Sequence, residues 1–123
     1  MARHGHFFWN ELRTRDPVRA REFYARFLDW SFHQQREDYW IAMVDHKPMA
    51  GIFQLPEGSG WDHIAETWNA FISVDDIDSR IARLKEAGGR VLREPFDVMN
   101  VGRIAIVKDA LGAEIGLITP VAG

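Results

Sequence analysis

An α+β fold built from two tandem βαβββ modules is predicted by three observations. The order strand, helix, strand, strand, strand reads twice along the 123 residues, at roughly 60 residues per copy. Each copy has an aromatic or apolar stretch followed at once by an acidic helix-start signal. Between the copies lies a polar segment carrying Pro56, Gly58, Ser59 and Gly60, which reads as a linker. The expected organisation is one domain, 1–123, with module one at 6–55, the linker at 56–66 and module two at 67–120.

The elements follow in order. Phe7-Phe8-Trp9-Asn10-Glu11-Leu12 is short and aromatic-rich and reads as a strand over about 6–14. Asp16-Pro17 then supplies an N-cap and a proline at the first helical position. Ala20, Phe23, Tyr24, Phe27 and Leu28 fall on one helical face, expected to be buried. Strands are expected near 30–36, 39–45 and 49–55, with Asp45-His46-Lys47-Pro48 as the turn between the last two. In the second copy Thr67 to Val74 reads as a strand, and Asp75 and Asp76 offer caps. Ile77, Ile81, Leu84 and Ala87 give that helix its apolar side, and Gly88-Gly89 closes it. Further strands fall near 90–98, 102–108 and 113–119, with Asn100 in one turn and Asp109-Ala110-Leu111-Gly112 in the next. Two echoes support a repeat: Trp9-Asn10 with Trp68-Asn69, and Gly51-Ile52 with Gly116-Leu117.

Composition excludes several classes. The chain has no cysteine, so disulfides, thiolate nucleophiles and zinc–thiolate sites are ruled out. Fifteen Lys and Arg against 18 Asp and Glu leave a net charge of −3, which recommends no nucleic acid partner. No apolar run approaches the roughly 20 residues of a membrane span, and the start MARHGHFFW lacks a signal-peptide pattern. A cytoplasmic protein without membrane contact is expected. No nucleophile elbow, phosphate-cradling glycine loop or dinucleotide fingerprint is present.

The order and spacing of several short signatures resemble the vicinal oxygen chelate superfamily of glyoxalase, bleomycin-resistance and extradiol dioxygenase proteins. In module one these are Asp16, Ala20, Phe23-Tyr24 and Leu28-Asp29-Trp30, where the family's usual triplet is Leu-Gly-Trp. In module two they are Ile72-Ser73-Val74-Asp75-Asp76, Ala87-Gly88-Gly89 and the ending Asp109-Ala110-Leu111-Gly112-Ala113-Glu114-Ile115-Gly116-Leu117. The resemblance implies that the two modules form an open, mixed, barrel-like cleft of strands with the helices outside and a ligand within, and, in many members, a divalent metal held by His, Gln or Glu from the first and last strands of each module. Those four positions fall here on Trp9, Asn69, Gly116 and Gly51, with Phe53 and Gln54 as alternatives to Gly51. Trp and Gly offer no side-chain ligand and one neutral Asn oxygen does not make a transition-metal site. No metal and no cofactor are therefore expected. The histidines do not repair this: His4 and His6 sit near a chain end, and His33, His46 and His63 are scattered.

Strand alternation assigns the cleft face. The wholly apolar set Trp68, Ala70, Ile72 and Val74 suits packing under a helix, which leaves Asn69, Phe71 and Ser73 for the cleft. The same parity gives the cleft Trp9, Glu11, Gly116 and Ile118. The candidate ligand-binding residues are Trp9, Glu11, Phe53, Asn69, Phe71, Arg103 and Ile118. Glu11 is the candidate acid or base, because burial beside Trp9 raises a carboxyl pKa; the competing reading pairs it with Arg13 or Arg103 as a structural ion pair. A filled barrel, with these aromatics as core, is the bland alternative. The preferred function is a metal-free protein that binds a small organic molecule and forms a homodimer, whether or not it catalyses a reaction. The alternatives are a metal-dependent lyase, isomerase or dioxygenase, or a non-catalytic dimerisation module.

Overall fold

A computed structural model describes residues 3–58, 61–62, 64–98 and 101–121. The described residues form β1 (Phe7–Thr14), α1 (Pro17–Leu28), β2 (Ser31–Arg36), β3 (Tyr39–Val44), β4 (Lys47–Gln54), β5 (Thr67–Ser73), α2 (Ile77–Glu86), β6 (Arg90–Val98), β7 (Gly102–Lys108) and β8 (Glu114–Pro120). This is the expected α+β class with the βαβββ order read twice. Ser59, Gly60, His63 and Asn100 lie outside the described residues. The chain divides into two compact units, Trp9–Asn69 and Met1–Phe8 with Ala70–Gly123.

In the unit Trp9–Asn69 the strand order is β2-β3-β4-β1. β1 and β4 run parallel, with Glu11 beside Gly51 and Leu12 beside Ile52. The other pairs are antiparallel. Leu12, Trp40 and Ile52 form the core on one face, and Ala20 and Tyr24 of α1 pack on it. Asp16 caps α1, its carboxylate accepting from Arg19 N–H at 3.1 Å, and Pro17 opens the helix. The helix ends at Asp29 with φ 61°, in the left-handed region, its N–H donating to Ala25 O at 3.0 Å.

Two local expectations change. Phe23 and Phe27 are 58% and 64% exposed, and Leu28 is exposed too, so only Ala20 and Tyr24 of the predicted apolar face pack inward. Helical periodicity reveals an apolar stripe wider than the surface the sheet offers it. The second change is the β3–β4 turn. Asp45 and His46 alone make it, both at positive φ, which suits a two-residue hairpin, and Lys47 and Pro48 already belong to β4.

The segment after β4 is tied to β1. Arg13 Nε donates to Ala65 O at 2.9 Å, Thr14 Oγ1 donates to the Glu66 carboxylate, and Arg15 N–H donates to that carboxylate at 3.0 Å. Arg15 also reaches Trp61 O and Ile64 O. Trp61 packs on Phe53 at 5.7 Å between ring centroids.

In the other unit the order is β5-β8-β7-β6. β5 and β8 run parallel, with Phe71 beside Gly116 and Ile72 beside Leu117. Val74, Ile77, Ile81, Ala105, Val107 and Leu117 make the core, with Ile72, Leu84, Val91 and Ile115 around it. Asp76 is the N-cap of α2, while Asp75 pairs with Arg80 at 3.0 Å. Ala87 is the exposed C-cap rather than part of the apolar side, and Gly88 follows it at φ 95°.

Asp29→Gly should stabilise the chain by about 0.5–1 kcal/mol, because a left-handed backbone strains any residue with a Cβ. Phe27→Ser should change stability by less than about 0.5 kcal/mol, whereas Ile81→Ala should lose about 2–4 kcal/mol. Chemical denaturation of the three variants checks the set.

Candidate functional site

The strand registers assign a face to every candidate residue. In the unit Trp9–Asn69, Leu12 and Ile52 lie under α1, so Glu11 and Gly51 lie on the opposite face. Arg13 pairs with Phe53, Tyr39 with Phe53, and Ile41 with Gly51. That face therefore carries Trp9, Glu11, Tyr39, Gly51 and Phe53, and it brings three candidates, Trp9, Glu11 and Phe53, together.

The centre of this face is a hydrogen-bonded chain. Trp9 Nε1–H donates to the Tyr39 hydroxyl oxygen at 2.9 Å. An indole N–H has no acceptor role, so it fixes the direction of the chain. Tyr39 in turn is hydrogen-bonded to Glu11, and its hydroxyl proton is free to be donated to that carboxylate. Glu11 is buried, and burial is the largest influence on it, raising its pKa from 4.5 to about 7. The Tyr39 hydrogen bond and the charges of Arg13 and Arg36 pull it down, and Asp38 pushes it up. Tyr39 is itself pushed well above the usual phenol range, by burial and by the Glu11 charge, so it keeps its proton. Arg36 lies over the Tyr39 ring at 5.5 Å and pairs with Asp38 at 2.7 Å. Glu11 thus takes Tyr39 as its hydrogen-bond partner, and Arg13 acts on it as a nearby charge.

The other unit holds the matching face with different residues. Phe71, Gly116, Ile118, Ile104 and Ile106 share it, through the pairs Phe71–Gly116, Ile118–Ile104 and Gly116–Ile106. Phe71 and Ile118 are fully buried there. Arg103 is not on this face. It shares the parity of Ala105 and Leu117 beneath α2, and its guanidinium makes two bonds to Asp78, at 2.9 and 3.1 Å, with Asp97 at 3.4 Å. Asn69, the last residue of the unit Trp9–Asn69, is 5% exposed, and among the described residues its Nδ2 has no hydrogen-bond partner.

Aligning the two parallel pairs relates the modules residue by residue. Glu11 matches Phe71 and Trp9 matches Asn69, an offset of 60 positions (11 to 71) on the first strands. Gly51 matches Gly116, Phe53 matches Ile118 and Tyr39 matches Ile104, an offset of 65 (51 to 116) on the later strands. The echo of Trp9-Asn10 in Trp68-Asn69 is one residue out of this register. Trp68 instead faces α1, where its Nε1 donates to the Tyr24 hydroxyl at 3.0 Å.

A family-type metal does not fit these residues. At Gly51 a Cβ would run into the Tyr39 hydroxyl, and at Gly116 it would come within 2.6 Å of the Phe71 ring. The space a ligating side chain needs is occupied by aromatic rings at both last-strand positions. Among the described residues no group of three or more His, Cys, Asp or Glu could hold an ion. His4 Nδ1 accepts from Asp75 N–H at 3.1 Å, ahead of α2.

Sequence reasoning misses Tyr39, the pivot of the chain, and Arg93, whose guanidinium stacks on Phe96 at 4.0 Å. The available signal for Tyr39 was a glycine at 51 with a large aromatic on the preceding strand. Reading it required the β3–β4 register.

Residues 3–117 match the Glyoxalase/Bleomycin resistance protein/Dioxygenase superfamily. The chain is 29% identical over 114 residues to the putative glyoxylase CFP32 of Mycobacterium bovis, covering 89% of this chain but 43% of that protein. It is 31% identical over 123 residues to a probable lactoylglutathione lyase of Vibrio cholerae, covering 87% of this chain and 85% of that one. It thus spans less than half the length of the first of these relatives. Among solved structures, methylmalonyl-CoA epimerase from Mycobacterium tuberculosis has the same fold, with a TM-score of 0.65 at 18% identity over 99% of this chain and 93% of that one. Among the described residues no helix is long and apolar enough to cross a membrane. By the extent of the family match and by its twice-read βαβββ fold, the chain belongs to the Glyoxalase/Bleomycin resistance protein/Dioxygenase superfamily.

Proposed function

We propose that the chain binds a small, partly aromatic organic molecule without a metal, and that Glu11 exchanges a proton with it. One observation carries this reading: the Trp9–Tyr39–Glu11 chain stands on the face where the family's module-one metal ligands would lie. Tyr39 fills the space over Gly51, so the polar chemistry of that face belongs to Glu11 and Tyr39. A carboxyl with a pKa of about 7 is divided between its acid and base forms near neutral pH, which suits both directions of a proton transfer. In the forward step the carboxylate takes a proton from the bound molecule and becomes the neutral acid. In the reverse step it returns that proton to the same or a neighbouring atom. Tyr39, held by Trp9, steadies the anionic form with its hydroxyl.

The relatives are named for different reactions: a glyoxylase, a lyase and an epimerase. They support small-molecule chemistry as a class rather than one reaction. A homodimer in the cytoplasm, with no nucleic acid partner, is the setting this reading carries from the sequence.

After treatment with a chelator, the protein should still show a thermal shift with members of an aromatic and dicarbonyl panel, and Trp9→Ala should abolish it. Stoichiometric Zn, Ni, Mn or Fe that activates turnover would overturn the metal-free reading. Glu11 also makes a prediction that needs no ligand. Its folded pKa lies above its unfolded value, so its favourable contribution is complete below about pH 4.5 and is lost as pH rises through about 7. The change is on the order of 3 kcal/mol. Glu11→Gln should flatten this part of the stability–pH curve and be more stable than the parent at pH 8, as measured by urea denaturation from pH 4.5 to 8.

A further inference from the structure

We infer that the side-chain amide of Asn69 is a ligand-binding donor that takes a carbonyl oxygen of the bound organic molecule. The inference rests on the binding reading above and adds the group that the molecule must present.

Asn69 is 5% exposed, and among the described residues its Nδ2 has no hydrogen-bond partner. An amide donor withdrawn from water and left unpaired destabilises the fold, and an apolar side chain of the same size would avoid that penalty. Such a group therefore needs an explanation in each native structure that keeps one. The internal symmetry of the chain supplies the contrast. Trp9 holds the matching position in module one, and it too presents an N–H. That donor is satisfied at 2.9 Å by the hydroxyl of Tyr39. The residue that matches Tyr39 in module two is Ile104, placed by its pairing with Ile118 as Tyr39 is placed by its pairing with Phe53. Isoleucine accepts no hydrogen bond. Of the two matching donors, the one at position 9 is thus satisfied by a side chain and the one at position 69 has no acceptor among the described residues.

The position of Asn69 on its strand agrees. Alternation along β5 puts it on the side of Phe71 and Ser73, away from Ile72 and Val74, which pack with α2. An amide N–H is a neutral donor, and its natural partner is a neutral carbonyl oxygen, as in a ketone, aldehyde or amide. A bound carbonyl satisfies the donor and recovers the stability lost in the free protein.

The test uses acetophenone and benzamide as carbonyl probes, with toluene as an apolar control and benzylamine as a donor-only control. In the full chain the carbonyl probes should raise the melting temperature more than the controls do. Asn69→Leu should raise the melting temperature of the free protein and weaken the carbonyl probes about tenfold or more, leaving toluene unchanged. Asn69→Asp keeps the size and replaces the amide donor with oxygen, and it should lose the carbonyl probes as well. A lower melting temperature for free Asn69→Leu assigns Asn69 a structural role and overturns the inference. Equal carbonyl binding by the parent and both variants also overturns it, while the broader binding reading survives. No shift in the parent with any probe, or with the wider panel, overturns both.

Discussion

The parallel pairing of β1 with β4 is the constraint on which the candidate site depends. It sets Leu12 beside Ile52 and Glu11 beside Gly51. The first pair is the floor on which α1 packs. The second pair follows necessarily on the other face, because side chains alternate along a strand. The packing that buries Leu12 and Ile52 therefore also fixes where Glu11 stands. A slip of one residue would bury the carboxylate under the helix and turn the leucine outward. Hydrophobic burial holds the register, and the register delivers the acid to Tyr39.

The same scaffold is built twice with opposite chemistry. β5 and β8 repeat the pairing, with Phe71 beside Gly116 and Ile72 beside Leu117. The helix-side residues stay apolar in both copies because each helix needs a floor. The residues on the other face are free of that demand. In module one they are Trp9, Tyr39 and Glu11, linked through polar atoms; in module two the matching residues are Asn69, Ile104 and Phe71. Each glycine lies under an aromatic ring, but one ring carries a hydroxyl and the other does not.

What was legible in the sequence was what local chemistry determines. Asp16-Pro17 and Asp76 start their helices as written, since a cap and its N–H are neighbours in the chain. The apolar parity of Trp68, Ile72 and Val74 orients β5 for the same reason: alternation is a property of one strand. Glu11 was legible as a buried acid, but its partner was not. Tyr39 lies 28 positions away (11 to 39), and only the register between strands brings the two together. Arg103 looked available as a directional contact, yet its strand puts it beneath α2, where Asp78 takes it. Phe23 and Phe27 show the limit of periodicity, which marks an apolar stripe without saying how much surface there is to cover it.

The tyrosine over Gly51 also bears on how this chain can change. A carboxylate introduced at 51 would collide with the Tyr39 hydroxyl, so it would be harmful until Tyr39 became smaller. Shrinking Tyr39 first would strip Trp9 and Glu11 of their shared partner, leaving a half-buried donor and a buried acid without it. Either change alone is thus destabilising, and the two sites are coupled through one hydroxyl. The hydroxyl thus makes the identity of residue 39 a condition on what residue 51 can be.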